Sequence, residues 1–332
     1  MLLVIVYHGN TGIIPGGYIG VDIFFVLSGF LITSILLREY SKTGHINLAH
    51  FYARRFLRIV PALVLLMMVF TLAALMAGID LDTLFKDIFA TALFISNWTR
   101  AFDLRFPIYL AHTWSLSIEE QFYLIWPGML LFLLKRFSLN VILTIVLASA
   151  LVSMVWRILL FLNGASIHRV YDGFDTRMDT LLLGAGVACF LALPNSRIKL
   201  RVSRVALNFT KLGSLLLVYV LVWSDWTDPS MVLGGYSFVG VFAAATILLL
   251  SQERPNFVGR YLEWRPLVLV GQISFGLYLW HYTIFRFMRL ELDASPATIN
   301  TAGVALTFAA ATASYILLEK PFLNLKVRFA SA

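Results

Sequence analysis

Hydrophobic positions gather into ten runs along the chain, near 2–8, 18–37, 57–78, 115–134, 139–162, 177–193, 210–224, 230–250, 267–288 and 298–318. Polar residues fall between the runs, and most runs approach the roughly 20 residues that a helix needs to cross a bilayer. The spacing predicts an all-α fold, a polytopic membrane helix bundle of about ten transmembrane helices. The first run is the exception. Even counted from Met1, its eight residues rise only about 12 Å as helix against a hydrocarbon core of about 30 Å, so the first helix is expected to be truncated, with its start upstream. Residues 79–114 form the longest connection, within which 84–97 reads as a short interfacial helix. With no internal repeat or second soluble domain, 1–322 reads as one transmembrane domain and 323–332 as a short cytoplasmic tail.

Composition agrees with a membrane protein. Hydrophobic residues make up 60% of the chain, charged residues 13%, and mean hydropathy is +0.83, where a soluble domain carries about 25% charged residues. The net charge of +8 calls for no nucleic acid, because its distribution is topological. With the loop between the first two segments placed outside, the inside regions hold Arg38 to Arg58, Lys135 and Arg136, Arg197 to Lys211, Arg254 to Arg265, and Lys320 to Arg328. Basic residues favour the cytoplasmic side, which orients a multi-pass protein with a cytoplasmic C-terminus in a bacterial inner membrane. No cleavable signal peptide is evident. The single cysteine, Cys189, excludes an intrachain disulfide framework and a cysteine metal cluster, and reads as a small core residue. No metal site is expected.

Ionisable residues inside apolar runs are costly and usually mark a site. With this orientation His8, Asp22, Glu119, the group Asp175, Arg177 and Asp179, and His281 all fall toward the outer side. His112, Ser115, Glu119, Tyr123 and Trp126 share one face of the fourth segment, with Glu120 turned away; Ser274, Tyr278 and His281 share one face of the ninth. These stripes describe a polar cavity within the bundle. Each residue also has a plainer reading: His281 as a packing residue, Asp22, Asp175 and Asp179 as partners of helix N-termini, Tyr and Trp as interfacial anchors. His45, His50 and His168 read as loop residues. On the inner side, Arg54, Arg55 and Arg58 form either a phosphate clamp, since guanidinium presents a rigid fork of donors, or a topogenic, headgroup-binding cluster.

Six blocks, in order, resemble the acyltransferase-3 family of bacterial membrane acyltransferases. They are Gly17 to Thr33 (GYIGVDIFFVLSGFLIT), Phe51 to Pro61 (FYARRFLRIVP), His112 to Pro127 (HTWSLSIEEQFYLIWP), Thr176 to Gly184 (TRMDTLLLG), Gly271 to His281 (GQISFGLYLWH) and Glu319 to Phe322 (EKPF). The resemblance implies transfer of an acyl group, most often acetyl, from cytoplasmic acyl-CoA to a carbohydrate hydroxyl, with acetyl-CoA as donor substrate and no permanently bound cofactor. It implies a catalytic role for His8, an association of Arg54, Arg55 and Arg58 with the donor's phosphates, and an acidic position at Glu119. The family pattern also carries a basic residue about ten positions before the histidine, which has no counterpart here. The chain ends just after its last helix, as in family members without an esterase-like domain.

A sugar hydroxyl attacks a thioester well only if a base removes its proton, and histidine suits that task. The expected catalytic set is therefore His8 as base, Glu119 or Asp22 as the acid orienting it, and Arg177 or a nearby amide stabilising the oxyanion. Trp114, Ser115, Tyr123, Asp179, Tyr278 and His281 are the expected substrate contacts. A transporter or flippase is the competing class; paired broken helices or an inverted repeat, which would favour it, are not evident in the sequence.

Overall fold

The computed structural model describes residues 1–9, 12–194, 196–251 and 257–325. Of the expected tail, 326–332 lies outside the described residues. The described chain is helical throughout, without strands: α1 (Leu2–His8), a 3-10 turn (Pro15–Ile19), α2 (Gly20–Thr43), α3 (Leu48–Ala77), α4 (Leu81–Ala92), α5 (Ser96–Ala101), α6 (Thr113–Arg136), α7 (Leu139–Leu162), α8 (Ile167–Asp172), α9 (Phe174–Ala192), α10 (Ser196–Trp223), α11 (Tyr236–Leu250), α12 (Phe257–Leu262), α13 (Arg265–Gln272) and α14 (Ser274–Glu291). Last comes α15 (Pro296–Leu325), which contains two π turns.

Every predicted run is helical. Among the described residues, six helices are long and apolar enough to cross a membrane, or seven if the bent pair α13–α14 counts as one span. At 24 and 19 residues, α6 and α9 are long as well, about 36 and 28 Å at the α-helical rise. They carry the buried charges discussed below. The outward faces of α3, α7 and α10 present Leu72, Val152 and Leu215 among many exposed apolar side chains, as lipid-facing surfaces do.

Local chemistry sets the boundaries. Gly44 and Gly78 end α2 and α3 at φ 72° and 74°, a left-handed conformation that costs glycine little. Asn47 and Asp80 cap α3 and α4 through side chains accepting from His50 N and Thr83 N. The bundle is tightest where α2 crosses α9. A Cβ on Gly29 would strike the Leu181 carbonyl, and one on Gly184 the Val26 carbonyl, so two glycines let the backbones touch. One core cluster joins α2, α6, α7, α9 and α11; another joins α3, α6, α14 and α15. Ile5 packs into the second cluster and Tyr7 against the first. Helix α1 thus carries His8 along the seam between them.

Two elements depart from the sequence pattern. The ninth run bends by 67° between α13 and α14, so helical rise counted from residue 267 does not give the depth of His281; it sits seven residues into a new helix. The 79–114 connection holds two helices, α4 and α5, rather than one over 84–97. Its return to α6 is pinned by Asp87, whose carboxylate accepts from Ile108 N, Tyr109 N and Leu110 N at 2.7, 2.6 and 3.0 Å.

Burial raises the Asp87 carboxyl to about 6, against the downward pull of those three donors. A folded value above the unfolded one means that the folded state holds this proton more tightly. The stabilisation is full below about pH 4 and is lost as pH rises through about 6. The unfolding temperature of the wild type is expected to fall more steeply across that window than that of Asp87→Asn, measured by thermal denaturation in detergent at several pH values. Parallel profiles would refute the assignment.

Candidate active site

Two cavities meet inside the bundle. One, of about 500 Å³, is lined by His8, His112, Tyr7, Tyr18, Trp114 and Tyr282, with Arg100 and Arg289. The other, of about 360 Å³, is lined by Arg55, Arg58, Ser28, Glu119, Ser115, Tyr123 and Tyr278 on otherwise apolar walls. Val4 of α1 and Val21 of α2 line both. We refer to them as the histidine cavity and the arginine cavity.

In the histidine cavity the hydrogen bonds fix the tautomers. His281 Nδ1 lies 3.0 Å from Leu277 O and 2.8 Å from Tyr278 O. Carbonyl oxygens only accept, so His281 carries its hydrogen on Nδ1 and presents a lone pair at Nε2. That Nε2 is 3.0 Å from His8 Nδ1, so His8 donates from Nδ1. In the neutral ring its Nε2 is then an unprotonated lone pair, with no hydrogen-bond partner among the described residues. Arg289 donates to the His8 carbonyl at 3.2 Å, and the rings of Tyr7 and Tyr282 flank the imidazole at 5.0 Å each. His112 donates from Nε2 to Leu279 O at 3.1 Å and stacks on Tyr282.

No carboxylate takes the orienting position expected of Glu119 or Asp22. The neutral ring of His281 fills it, through a lone pair rather than a charge. Nor does His281 line either cavity as a substrate contact; it is fully buried behind His8. Glu119 lies in the arginine cavity, where it accepts from Ser28 Oγ at 2.5 Å.

In that cavity the Arg55 guanidinium sits 3.7 Å above the Tyr123 ring, a geometry that favours a cation. Arg58, one turn on, also lines the space. Arg54 does not; it turns to Glu39 at 3.5 Å, whose other oxygen accepts from Asn47 N. The three-arginine cluster is thus two cavity-lining residues and one that ties α3 to α2. Tyr278 links the two sites, donating to His112 O at 2.6 Å with Ser115 Oγ 3.0 Å from its hydroxyl.

Arg177, Asp22 and Asp179 lie elsewhere. Arg177 pairs with Asp22 at 2.6 Å, both with fully buried side chains, under the rings of Tyr236 and Tyr171. Asp179 pairs with Arg157 of α7 at 2.9 Å, and Arg157 also donates to Thr176 O and Ser237 Oγ. None of these four lines either cavity. Asp22 does lie in the first turn of α2, as a dipole partner would, but Asp22, Arg177 and Asp179 stand outside the cavities in which they were expected as orienting acid, oxyanion donor and substrate contact. The charges neutralise one another in two pairs, one between α2 and α9 and one between α7 and α9, because neither sign is tolerated alone in an apolar interior. His168, expected in a loop, is on α8 and bonds to Asp172 at 2.9 Å. Asp175 binds Arg169 through both oxygens. Cys189 is a buried free thiol, and no group of residues suited to a metal occurs among those described.

Comparison with known proteins places this architecture. The acyltransferase-3 pattern, described as an acyltransferase domain, matches residues 1–319. The chain belongs to the acyltransferase-3 family. It is 35% identical over 337 residues to the peptidoglycan O-acetyltransferase OatA of Listeria monocytogenes, covering 97% of this chain and 54% of that protein. It is 34% identical over 333 residues to the O-acetyltransferase OatA of Staphylococcus aureus, covering 96% and 54%. The chain thus spans about half the length of the curated relatives it matches. No solved structure matches it.

Within this acyltransferase-3 domain, several cavity residues escaped the sequence reading. Tyr282, Arg286 and Arg289 follow i, i+4, i+7 on the helix of His281 and continue its polar stripe toward the helix C-terminus, a periodicity that could have found them. A lone Arg157 amid the apolar run 139–162 also signals a buried partner. Arg100 and Trp226 gave no comparable signal, since they come from connections whose path only the fold reveals.

Proposed function

We propose that this chain is a multi-pass acyltransferase of the bacterial inner membrane. It moves an acyl group, acetyl first among candidates, from cytoplasmic acyl-CoA to a hydroxyl of a cell-envelope carbohydrate. The relatives' names make peptidoglycan the first acceptor to try. One observation carries this reading: an imidazole nitrogen, His8 Nε2, without a hydrogen-bond partner among the described residues, in a cavity that backs onto a second one containing two arginines, with Val4 and Val21 common to both.

The chemistry follows from those positions. Arg55 and Arg58 bind the phosphates of the donor through charge-assisted hydrogen bonds, and the donor's arm extends toward Val4 and Val21. His8 Nε2 accepts the proton of the acceptor hydroxyl while the oxygen bonds to the thioester carbon. As the carbon–sulfur bond breaks, the imidazolium returns that proton to the departing thiolate. His281 holds the ring throughout, accepting from Nδ1 before and after the proton moves. Glu119 and Ser28 shape the donor side, and Trp114 the acceptor side. The C-terminus is cytoplasmic on this orientation.

The test is transfer from radiolabelled acetyl-CoA to soluble peptidoglycan fragments by the purified chain reconstituted in lipid nanodiscs. Absence of both transfer and acetyl-CoA binding would overturn the reading. Arg55→Gln and Arg58→Gln are each expected to raise KM for acetyl-CoA about tenfold with little change in kcat, the loss of one charge-assisted bond of uniform binding. A change confined to protein level would instead support a purely topogenic role.

A further inference from the structure

We infer that the acceptor is an acidic carbohydrate, its carboxylate or phosphate group held by arginines at the mouth of the histidine cavity. The inference rests on the reading above and goes on to name the acceptor's charge. Its starting point is the fate of the basic residues on the outer side of the bundle. Lys86, Arg157, Arg169 and Arg177 each hold a carboxylate, at 2.5, 2.9, 2.5 and 2.6 Å. The remaining four are Arg100, Arg105, Arg286 and Arg289, and all four line two adjoining hollows. A second hollow of about 220 Å³, lined by Arg100, Arg105, Arg286 and His168, shares Arg100, Ala111 and Tyr282 with the histidine cavity, where Arg289 stands.

Three of these four cations have no carboxylate partner among the described residues. Arg105, Arg286 and Arg289 form no ion pair among the described residues, and the Nε of Arg286 is buried without a hydrogen-bond partner. Arg100 does pair with Asp172, at 3.2 Å, but that carboxylate is shared with His168. Asp87 senses the charge of Arg286 but is spent on three backbone donors. Asp103 and Asp225 are the acidic groups left on the linings. Clustered guanidiniums repel one another and are disfavoured on the translocated side of a membrane. A fork of donors that matches carboxylate or phosphate geometry gives such a cluster a use.

The aromatic walls select a sugar as the bearer of the charge. Trp114, Tyr171, Trp226 and Tyr282 line the histidine cavity next to the arginines, offering the flat apolar faces on which sugar rings stack. An anionic lipid headgroup would satisfy the arginines without using the aromatic wall beside them.

The test measures binding without acyl transfer, so that it can fail while the proposed function stands. Fluorescently labelled trigalacturonic acid and maltotriose, an acidic and a neutral trisaccharide, are titrated into the full chain in nanodiscs of zwitterionic lipid without acetyl-CoA. The acidic sugar is expected to bind at least about tenfold more tightly, and more weakly as salt rises. Arg105→Gln and Arg286→Gln should each reduce its affinity about tenfold while leaving the neutral sugar unchanged; lysine at either position should restore part of the loss. Arg105 is exposed, so its substitution leaves the fold intact. Equal binding of the two sugars, or indifference to both substitutions, would overturn the inference. So would displacement of the acidic sugar by phosphatidylglycerol at equimolar amounts, since the arginines would then serve a lipid headgroup. Transfer failing with every acceptor, while charge-selective binding persists, would count against the proposed function and not against this site.

Discussion

Replacing His8 with alanine is expected to reduce acetyl transfer by about 10²–10⁴-fold, the usual worth of a positioned general base. Protein level and the KM for acetyl-CoA should stay near wild type, because the polar groups of the arginine cavity come from other helices and His8 does not line it. The diagnostic companion is His281. If its Nε2 orients His8, then His281→Leu removes the acceptor for the His8 Nδ1–H and frees the ring to take the other tautomer, whose Nε2 carries a hydrogen and cannot act as base. His281→Gln keeps an oxygen able to accept that hydrogen bond. The expected order of kcat is wild type, then His281→Gln, then His281→Leu, with His8→Ala lowest and KM for the donor nearly constant. A packing role for His281 predicts instead that glutamine and leucine reduce folded protein together and leave kcat per folded molecule alike. Steady-state kinetics on size-excluded protein separates the two. Full activity in His8→Ala would overturn the base assignment outright.

Periodicity made the helices legible because an apolar run of membrane length admits little else. The stripe on α6 was legible for the same reason: Ser115, Glu119 and Tyr123 do line one cavity. Depth was less legible. Helical rise predicts position only along an unbroken helix, and α13 and α14 bend by 67° without a proline at the break. Pairing was the least legible. Nothing local distinguishes Asp22, which meets Arg177 across 155 residues of sequence, from Glu119, which meets a serine 91 residues away. Both are carboxylates toward one end of a buried helix, and the sequence reading gave both to His8. What separated them was the α2–α9 contact at Gly29 and Gly184, a consequence of packing. The histidine pair lay beyond reach as well, since which imidazole nitrogen is bare depends on the carbonyls of Leu277 and Tyr278.

That packing argument carries the largest expected effect on stability. Asp22→Asn leaves the Arg177 guanidinium charged in a fully buried site, and loss of one partner from such a pair costs about 3–5 kcal/mol. Arg177→Met strands Asp22 likewise. Both should lower the temperature at which the detergent-purified protein loses its monomeric elution peak. The double variant Asp22→Leu with Arg177→Met removes both charges together, and apolar replacement of a whole buried pair is often near neutral. It should therefore be more stable than either single variant, a non-additivity that contacting residues produce and distant ones do not. Arg177→Lys separates this role from catalysis. It keeps the charge opposite Asp22 but loses the planar face packed on Tyr236, 4.3 Å away, and Tyr171, 5.0 Å away. Thermal stability should drop while kcat per folded molecule stays within about threefold, because Arg177 lines neither cavity and an oxyanion donor would cost about 10²–10³ in kcat. A kcat loss of that size in Arg177→Lys, at unchanged thermal stability, would return Arg177 to the reaction centre.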